Sequence, residues 1–413
     1  MFRVRLPYGR RPESILVKLT DYGGMTGWGE IVEPPSGHPG LDKTWTILAE
    51  SLAPSLIGVD WEHPDDLVAP YVVPGSLADG LAGPGLDAGG FAVPGSQVSG
   101  SGVPGSLAGG SAVPGSLAGG SAVPGSLAGG SAVPGSLVGG SAVTGSLVGG
   151  SAVDMACWDL WARMQGVPLA HAIGGTRTSL TATVRIGAER SLESLVSRVN
   201  RHVCGGYAHV TLDVSPGWDV EPLRAVRLAY PGLAISVDAQ AAYTPAQLDQ
   251  LAAFDAYGIT TLERPFIPGD HSAHADLQER IAAAVVVEVH SLQEIAELTT
   301  AHAARALLLR PADFASLYEV RQVHDRAVAA GWDIVCAGGQ GTGLARAATV
   351  AVASLPGCTL PCDVTQPPKA AQIVTPPVGA SGGVVAVPFT QPGLGHLVDE
   401  DRLRRLARDS FRV

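Results

Sequence analysis

Three short apolar segments that each end in an acid decide the fold of this chain. They read Ala-Ile-Ser-Val-Asp (234–238), Thr-Thr-Leu-Glu (260–263) and Val-Val-Val-Glu (285–288). Their last residues, Asp238, Glu263 and Glu288, follow one another at intervals of 25 positions. One strand, one helix and two loops need roughly 25 residues, so each acid is predicted to end the strand of one β/α unit.

The ends of these strands predict a metal site. Parallel strands in a barrel present their last residues at the same mouth, so we expect the three carboxylates to converge there. Converging carboxylates repel one another unless a divalent cation lies between them. An acid in this place can also be a helix N-cap or a solvated loop charge. The equal spacing of Asp238, Glu263 and Glu288 favours a Mg²⁺ site over those two alternatives.

The surrounding chain continues the same alternation of strand and helix patterns. Strands are predicted near 181–187, 209–214, 234–238, 260–263, 285–289, 306–310, 333–337 and 358–363. Eight strands separated by helical segments are typical of a β/α barrel of the TIM type. We assign residues 181–365 to this barrel.

The segments on either side of the barrel are predicted to form a smaller α+β domain. Residues 1–72 would supply most of it. A hairpin is predicted from residues 14–20 and 26–32, and a helix from 152–165 in the helix-and-linker segment 151–180. The C-terminal segment 366–413 is predicted to return to this domain through a strand at 384–388 and a helix at 400–408.

A low-complexity segment at 73–150 interrupts this smaller domain. Its core is a ten-residue repeat, Val-Pro-Gly-Ser-Leu-Ala-Gly-Gly-Ser-Ala, with prolines at 104, 114, 124 and 134 and Thr144 in the next equivalent position. Pro-Gly favours turns, and Gly-Gly removes helical preference. The core repeat has no charged or aromatic residue, so each copy buries little apolar area to offset its backbone entropy. We predict a flexible surface insertion; a stacked solenoid of turns is the alternative, because fixed periods also mark repeat folds.

The composition limits the class of partner. The net charge of −11 and the lack of a basic patch argue against nucleic acid and anionic membranes. Five cysteines without a CxxC pair are typical of a reducing compartment. The N-terminus has no apolar signal core, and no 18-residue apolar span free of Gly and Pro is present. We expect a cytoplasmic protein with a small-molecule ligand, and we leave a homo-oligomer open.

Several motifs resemble one known family. They are Gly27-Trp-Gly-Glu30, Asp154-Met-Ala-Cys-Trp-Asp159, Gly174-Gly175, Pro216-Gly-Trp-Asp-Val-Glu-Pro222, Val237-Asp-Ala-Gln240, Glu263-Arg-Pro265 and Leu355-Pro-Gly357. Outside 73–150 the chain resembles the enolase superfamily, in the muconate-lactonising branch that includes mandelate racemase-like enzymes, o-succinylbenzoate synthases and N-acylamino acid racemases. The resemblance implies an α+β capping domain over a (β/α)₇β barrel, with Mg²⁺ held by three strand-end acids. Asp238, Glu263 and Glu288 fall on those three positions.

The catalytic lysines that the resemblance implies are replaced. Thr211 and Asp213 occupy the two lysine positions on the second barrel strand, and Arg310 occupies a third at the end of the sixth. Arginine stays protonated, so Arg310 could stabilise an oxyanion but is a poor proton shuttle. Two candidates remain for a base. Asp213 points toward the barrel axis, although a cation beside it would lower its pKa, and it could instead become a fourth metal ligand. His290 lies two residues past Glu288 on the same face of the strand.

Two hypotheses about function follow. The family reaction implied by the resemblance is removal of a proton alpha to a carboxylate, with Mg²⁺ stabilising the enediolate. The first hypothesis is therefore a Mg²⁺-dependent lyase, for example a dehydratase, or an isomerase that acts on a small carboxylate. The alternative is a catalytically inactive barrel that retains metal or ligand binding and serves as a scaffold or regulator, which the replaced lysines favour.

Overall fold

Alternating apolar residues near the N-terminus form an antiparallel sheet in the computed structural model, which describes residues 1–5, 13–32, 40–67, 143–338, 341–364 and 372–413. Strands β1 (Phe2–Arg5), β2 (Glu13–Thr20) and β3 (Thr26–Val32) pair in that order, and a C-terminal strand, Ala407–Ser410, pairs with β1. The predicted hairpin is therefore present. The predicted insertion lies outside the described residues except for 143–150, and its division from the other domains stays a prediction.

Two helical segments accompany this sheet. The first, α1 (Leu41–Ile47), continues through a π-helical turn, Leu48–Leu52, and ends with Ala53–Ser55. The second, α2 (Val143–Met164), begins nine residues before the predicted start at Ala152. Thr144 replaces the proline of the earlier copies, and no proline lies between 134 and 168, so nothing breaks the interior of this helix. The helix therefore includes residues 143–150, the last positions of the predicted insertion.

Close packing of α2 against β3 explains the glycines of the Gly27-Trp-Gly-Glu30 motif. A Cβ atom at Gly27 would collide with the backbone carbonyl of Ala156, and one at Gly29 with the carbonyl of Ala152. On the same helix, the buried Asp159 accepts a hydrogen bond of 2.9 Å from the backbone N–H of Trp28. The motif therefore fixes the helix on the sheet.

Seven parallel strands form the larger sheet, and a helix follows each of them in sequence. After α3 (Leu169–Ala172) and β4 (Ser179–Thr181), the order is β5 (Val184–Ile186), α4 (Leu192–Cys204), β6 (His209–Asp213), α5 (Val220–Ala229), β7 (Ala234–Asp238), α6 (Leu248–Ala252), β8 (Thr261–Glu263), α7 (His271–Arg280), β9 (Ala284–Glu288), α8 (Leu292–Thr300), β10 (Ala306–Leu309), α9 (Leu317–Ala329), β11 (Asp333–Cys336) and α10 (Gly343–Ala353). Neighbours in the sheet are consecutive in sequence from β5 to β11. Consecutive parallel pairing with crossover helices agrees with the predicted β/α architecture.

The predicted eighth strand is reduced to two isolated pairs. Cys362 pairs in parallel with Ala182, just before β5, and Asp363 pairs with Ala337, just after β11. Both edges of the seven-stranded sheet therefore meet the same short segment, which curls the sheet into the (β/α)₇β arrangement.

The C-terminal residues return partly as predicted. They form β12 (Val374–Thr375), β13 (Val384–Ala386), β14 (Leu397–Val398), α11 (Glu400–Leu406) and β15 (Ala407–Ser410). β13 does not join the N-terminal sheet, because it pairs with β4 beside the barrel. It is β15 that pairs with β1 and brings the chain back to the smaller domain.

The barrel interior has a polar half and an apolar half. On β5 to β8 the hydroxyl groups of Thr183, Thr211 and Ser236 form hydrogen bonds of 2.5–3.1 Å with one another, with His209 or with Thr261. Burial lowers the pKa of His209 to about 4, so its ring is neutral in this network. The other half, on β9 to β11, is filled by apolar side chains: Val286, Ala306, Leu308, Val335 and Ala337.

Within the described part of the chain, no helix is long and apolar enough to cross a membrane.

Candidate active site

Charged side chains meet at the carboxyl ends of the barrel strands. Asp238 at the end of β7 is in register with Asp213 on β6 and with Glu263 on β8. The Asp238 and Glu263 side chains are buried, with 0% and 3% exposure. Buried carboxylates need a compensating charge or hydrogen bonds, and arginines provide it.

Arg185, on β5, is shared by several of these acids. It pairs with Asp238, its Nη2 lies 2.9 Å from Glu263 Oε2, and its Nη1 lies 3.5 Å from Asp213 Oδ1. On its other side, Nε lies 3.6 Å from Asp363 Oδ2. Burial by itself lowers the pKa of Arg185, but the charges of Glu263, Asp238 and Asp363 outweigh burial and raise it above the ordinary value. The guanidinium is therefore a permanent cation at this mouth.

Arg264 and Arg310 also pair with these acids. Arg264 contacts both oxygens of Asp238, and its Nη1 lies 3.6 Å from Glu288 Oε2. Arg310 pairs with Glu288. Arg264 has a backbone φ of +47°, a conformation that costs energy for residues other than glycine and that is concentrated at functional sites.

Beyond Arg310 the pairs continue to a histidine. Asp313 Oδ2 lies 3.8 Å from Arg310 Nη1 and 3.7 Å from His290 Nδ1. The His290 side chain is 34% exposed, whereas Asp313 is 10% exposed. We call this whole set the carboxylate–arginine belt; its members are Arg185, Asp213, Asp238, Glu263, Arg264, Glu288, His290, Arg310, Asp313 and Asp363.

The belt bears directly on the predicted Mg²⁺ site. Each of the three predicted ligands, Asp238, Glu263 and Glu288, is paired with at least one arginine. Across the described ranges, no three His, Cys, Asp or Glu side chains form a group that could hold a metal ion. The carboxylates of these three acids, paired with arginines in this way, do not fit a resident divalent cation. Metal binding by these acids stays a prediction that titration must test.

The two replaced lysine positions on β6 differ in their surroundings. Thr211 is fully buried, with its Oγ1 2.9 Å from Thr183 Oγ1, so it belongs to the polar interior below the belt. Asp213 is in the belt with 21% exposure. Burial raises the pKa of Asp213, and the nearby Arg185 only partly opposes this. The expected lowering of the Asp213 pKa by a bound metal ion stays a prediction.

Four belt residues were missed as site residues: Arg185, Arg264, Asp313 and Asp363. Strand alternation gave a usable signal for Arg185, since it lies two residues after the inward-facing Thr183. Arg264 directly follows a predicted ligand within the motif Glu263-Arg-Pro265. Asp313 lies in a short turn, Pro311–Asp313, where side-chain direction has no simple period.

The smaller domain is held against this mouth by Glu30, at the end of the Gly27-Trp-Gly-Glu30 motif. Its carboxylate accepts hydrogen bonds from the backbone N–H of Thr342 and of Ala345, each at 2.9 Å, and from the Thr342 hydroxyl at 2.5 Å. These donors lie at the start of α10, where a negative charge also interacts favourably with the helix dipole. Residues 33–39, which follow β3, lie outside the described residues.

A small cavity adjoins the belt. It has a volume of about 90 Å³ and is bordered by belt residues Arg264 and Glu288. Its apolar wall includes Phe266, Val287 and Leu298. Its lining also includes Glu294, so the charge at its edge is mixed, and Arg264 is the group there that could bind a carboxylate.

The curled parallel sheet defines a β/α barrel, and the sequence comparisons identify the family of this chain. The family described as enolase C-terminal domain-like matches residues 194–402. The o-succinylbenzoate synthase of Geobacillus kaustophilus is 31% identical over 254 residues, which are 60% of this chain and 68% of the synthase. The N-succinylamino acid racemase of an Amycolatopsis species is 35% identical over 247 residues, 59% of this chain and 67% of the racemase. The chain belongs to the enolase superfamily, as the resemblance predicted.

Solved structures agree on the fold. An enolase superfamily member from Listeria innocua gives a TM-score of 0.75 at 21% identity, covering 99% of this chain and 96% of that chain. The muconate lactonizing enzyme of Pseudomonas putida gives 0.72 at 16% identity, covering 98% of each chain. At these identities the likeness shows the fold alone.

Proposed function

We propose that this chain is a lyase or isomerase that removes a proton alpha to the carboxylate of a small organic acid. The observation that carries the proposal is the group of arginines at the barrel mouth, one of which borders a cavity with an apolar wall. Guanidinium groups bind carboxylates and stabilise an oxyanion as it forms. Membership of a superfamily whose matched relatives are a synthase and a racemase supports the same reaction class.

Arg264 is the proposed contact for the substrate carboxylate. Its Nη1 lies 3.6 Å from Glu288, which is beyond hydrogen-bond distance and leaves donors for a ligand. The apolar side chains of Phe266 and Leu298 would contact the rest of the substrate. The name of the related racemase suggests N-succinylamino acids as a first class of substrate to test.

His290 is the proposed base. The partly exposed ring of His290 has its Nδ1 3.7 Å from Asp313 Oδ2, so its Nε2 is directed away from that carboxylate. Such distances are often long without substrate and shorten in the complex. The proton would pass from the α-carbon to His290 Nε2, while Arg310 would stabilise the negative charge on the enediolate oxygen. Asp213, whose pKa is raised by burial, is the second candidate.

Magnesium is the cofactor that the resemblance implies. Were the ion bound, it would be held by Asp238, Glu263 and Glu288 and would supply Lewis-acid stabilisation of the enediolate. Because arginines already pair with those acids, the proposed steps rely only on side chains of the protein.

The test is deuterium exchange at the α-carbon. A panel of small carboxylates that includes N-succinylamino acids would be incubated with the protein in D₂O, and loss of the α-proton signal would be followed by NMR. We expect exchange with at least one member, and a fall of about 100-fold or more in His290→Ala. The exposed His171 on α3 provides a matched control, since His171→Ala should exchange at the wild-type rate.

Two results would change the conclusion. Exchange that survives His290→Ala and disappears in Asp213→Ala would transfer the role of base to Asp213. No exchange with any carboxylate would refute the proposed reaction and favour the alternative of an inactive, ligand-binding barrel.

A further inference from the structure

The guanidinium groups lie between the acids that a metal ion would have to bridge. Arg185 reaches Asp238 through Nη1 and Glu263 through Nη2, so its planar group spans the gap between these two carboxylates. Arg264 reaches Asp238 through Nη2 and Glu288 through Nη1, and spans the second gap. Both gaps next to Asp238, the most buried of the three acids, are therefore filled by positive groups of the protein.

These contacts are incompatible with a bound divalent ion. Mg²⁺ needs oxygen ligands at about 2.1 Å in near-octahedral geometry. Asp238 Oδ2 contacts both Arg185 and Arg264, and Oδ1 accepts hydrogen bonds from Arg264 Nε at 3.1 Å and from the backbone N–H of Gln240 at 3.0 Å. A metal ion would have to displace these donors and then remain beside two cations that cannot deprotonate.

We infer that Arg185 and Arg264 take the place of a divalent cation, so that the barrel mouth is a metal-independent site neutralised from within the chain. The three acids Asp238, Glu263 and Glu288 are then structural counter-ions that hold the guanidinium groups toward the substrate. The site would accept an anionic ligand directly on arginine, with no metal bridge. The inference concerns the site of the proposed function, but it is tested by metal binding without substrate, so each can fail separately.

The experiment is a titration of the full chain with Mg²⁺ and with Mn²⁺, followed by calorimetry and by thermal unfolding. For the wild type we expect no binding heat and no change of Tm at about 10 mM metal ion or after EDTA treatment. Arg185→Gln removes one spanning cation and leaves a shorter, polar and uncharged side chain. We expect this variant to bind Mn²⁺ at least about tenfold more tightly than the wild type, because a repelling charge has been removed.

Controls make each outcome decisive. Arg198→Gln removes an arginine whose partner, Glu189, lies outside the belt, and it should stay as unresponsive to metal as the wild type. Arg264→Gln is the second variant if Arg185→Gln does not fold, and it should also gain metal binding. A wild-type Tm that rises with Mg²⁺ and falls with EDTA would overturn the inference. So would folded variants that gain no affinity, because the arginines would then not be what excludes the metal.

Discussion

Asp154 on α2 gives a prediction about stability and pH. Its side chain is buried, its Oδ2 accepts a hydrogen bond of 2.8 Å from the backbone N–H of Leu317, and its Oδ1 has no hydrogen-bond partner among the described residues. Burial raises the pKa of Asp154 from 3.8 to about 8, a shift that the N–H of Leu317 opposes and the charge of Asp65 reinforces. The folded state therefore retains a proton that the unfolded state loses.

The sign of the effect follows from linkage. A carboxyl group with a raised folded-state pKa stabilises the fold while it is protonated, so the contribution of Asp154 is complete below pH 3.8 and is lost as the pH rises to about 8. Within this window the free energy of unfolding falls by about 1.4 kcal/mol for each pH unit. At pH 7 the accumulated loss is about 4 kcal/mol, an upper limit because the protein relaxes around a buried charge.

Asp154→Asn should recover part of this loss. The amide stays neutral, and its oxygen can still accept the hydrogen bond from Leu317. Its NH₂ group would lack an acceptor, which costs about 1–3 kcal/mol, so we expect a net gain of about 1–3 kcal/mol at pH 7. The assay is urea unfolding of variant and wild type from pH 5 to pH 9, since groups common to both proteins cancel in the difference.

The pH dependence of that difference is the critical result. It should grow between pH 5 and pH 8 and then level off. Asp249→Asn is the control, because the Asp249 side chain is 97% exposed and its difference from wild type should stay within about 0.5 kcal/mol at every pH. A difference for Asp154→Asn that does not vary with pH would refute the reasoning from burial.

Two further predictions concern the connection between the domains and the ligand. Glu30→Ala leaves the backbone donors at the start of α10 without their carboxylate. The free energy of unfolding, measured by urea unfolding, should therefore fall by about 2–4 kcal/mol. Unchanged stability would mean that Glu30 does not hold the smaller domain on the barrel. Arg264→Lys keeps the charge but loses the planar fork, so steady-state kinetics on a substrate found by the exchange assay should show KM raised by about tenfold or more. An unchanged KM would exclude Arg264 as the contact for the substrate carboxylate.

Much of the fold could be predicted because its signals are local. Apolar segments of strand length, separated by helical segments, are short-range patterns, and they placed all seven strands of the larger sheet to within about three residues. The hairpin of β2 and β3 was predictable for the same reason. The pairing of β13 with β4 was not, because partner choice between distant segments depends on how the whole chain packs.

The sequence by itself determined which acids end the barrel strands, since strand period and the 25-residue spacing of Asp238, Glu263 and Glu288 are properties of the chain alone. Only the tertiary structure decided what neutralises them. Arg185 comes from a strand 53 residues before Asp238, yet the curled sheet brings the two side chains into contact. A local pattern sets the direction of a side chain, but the charge it meets is set by the three-dimensional arrangement of strands far apart in sequence. That arrangement supplies arginine to the carboxylates of this barrel mouth.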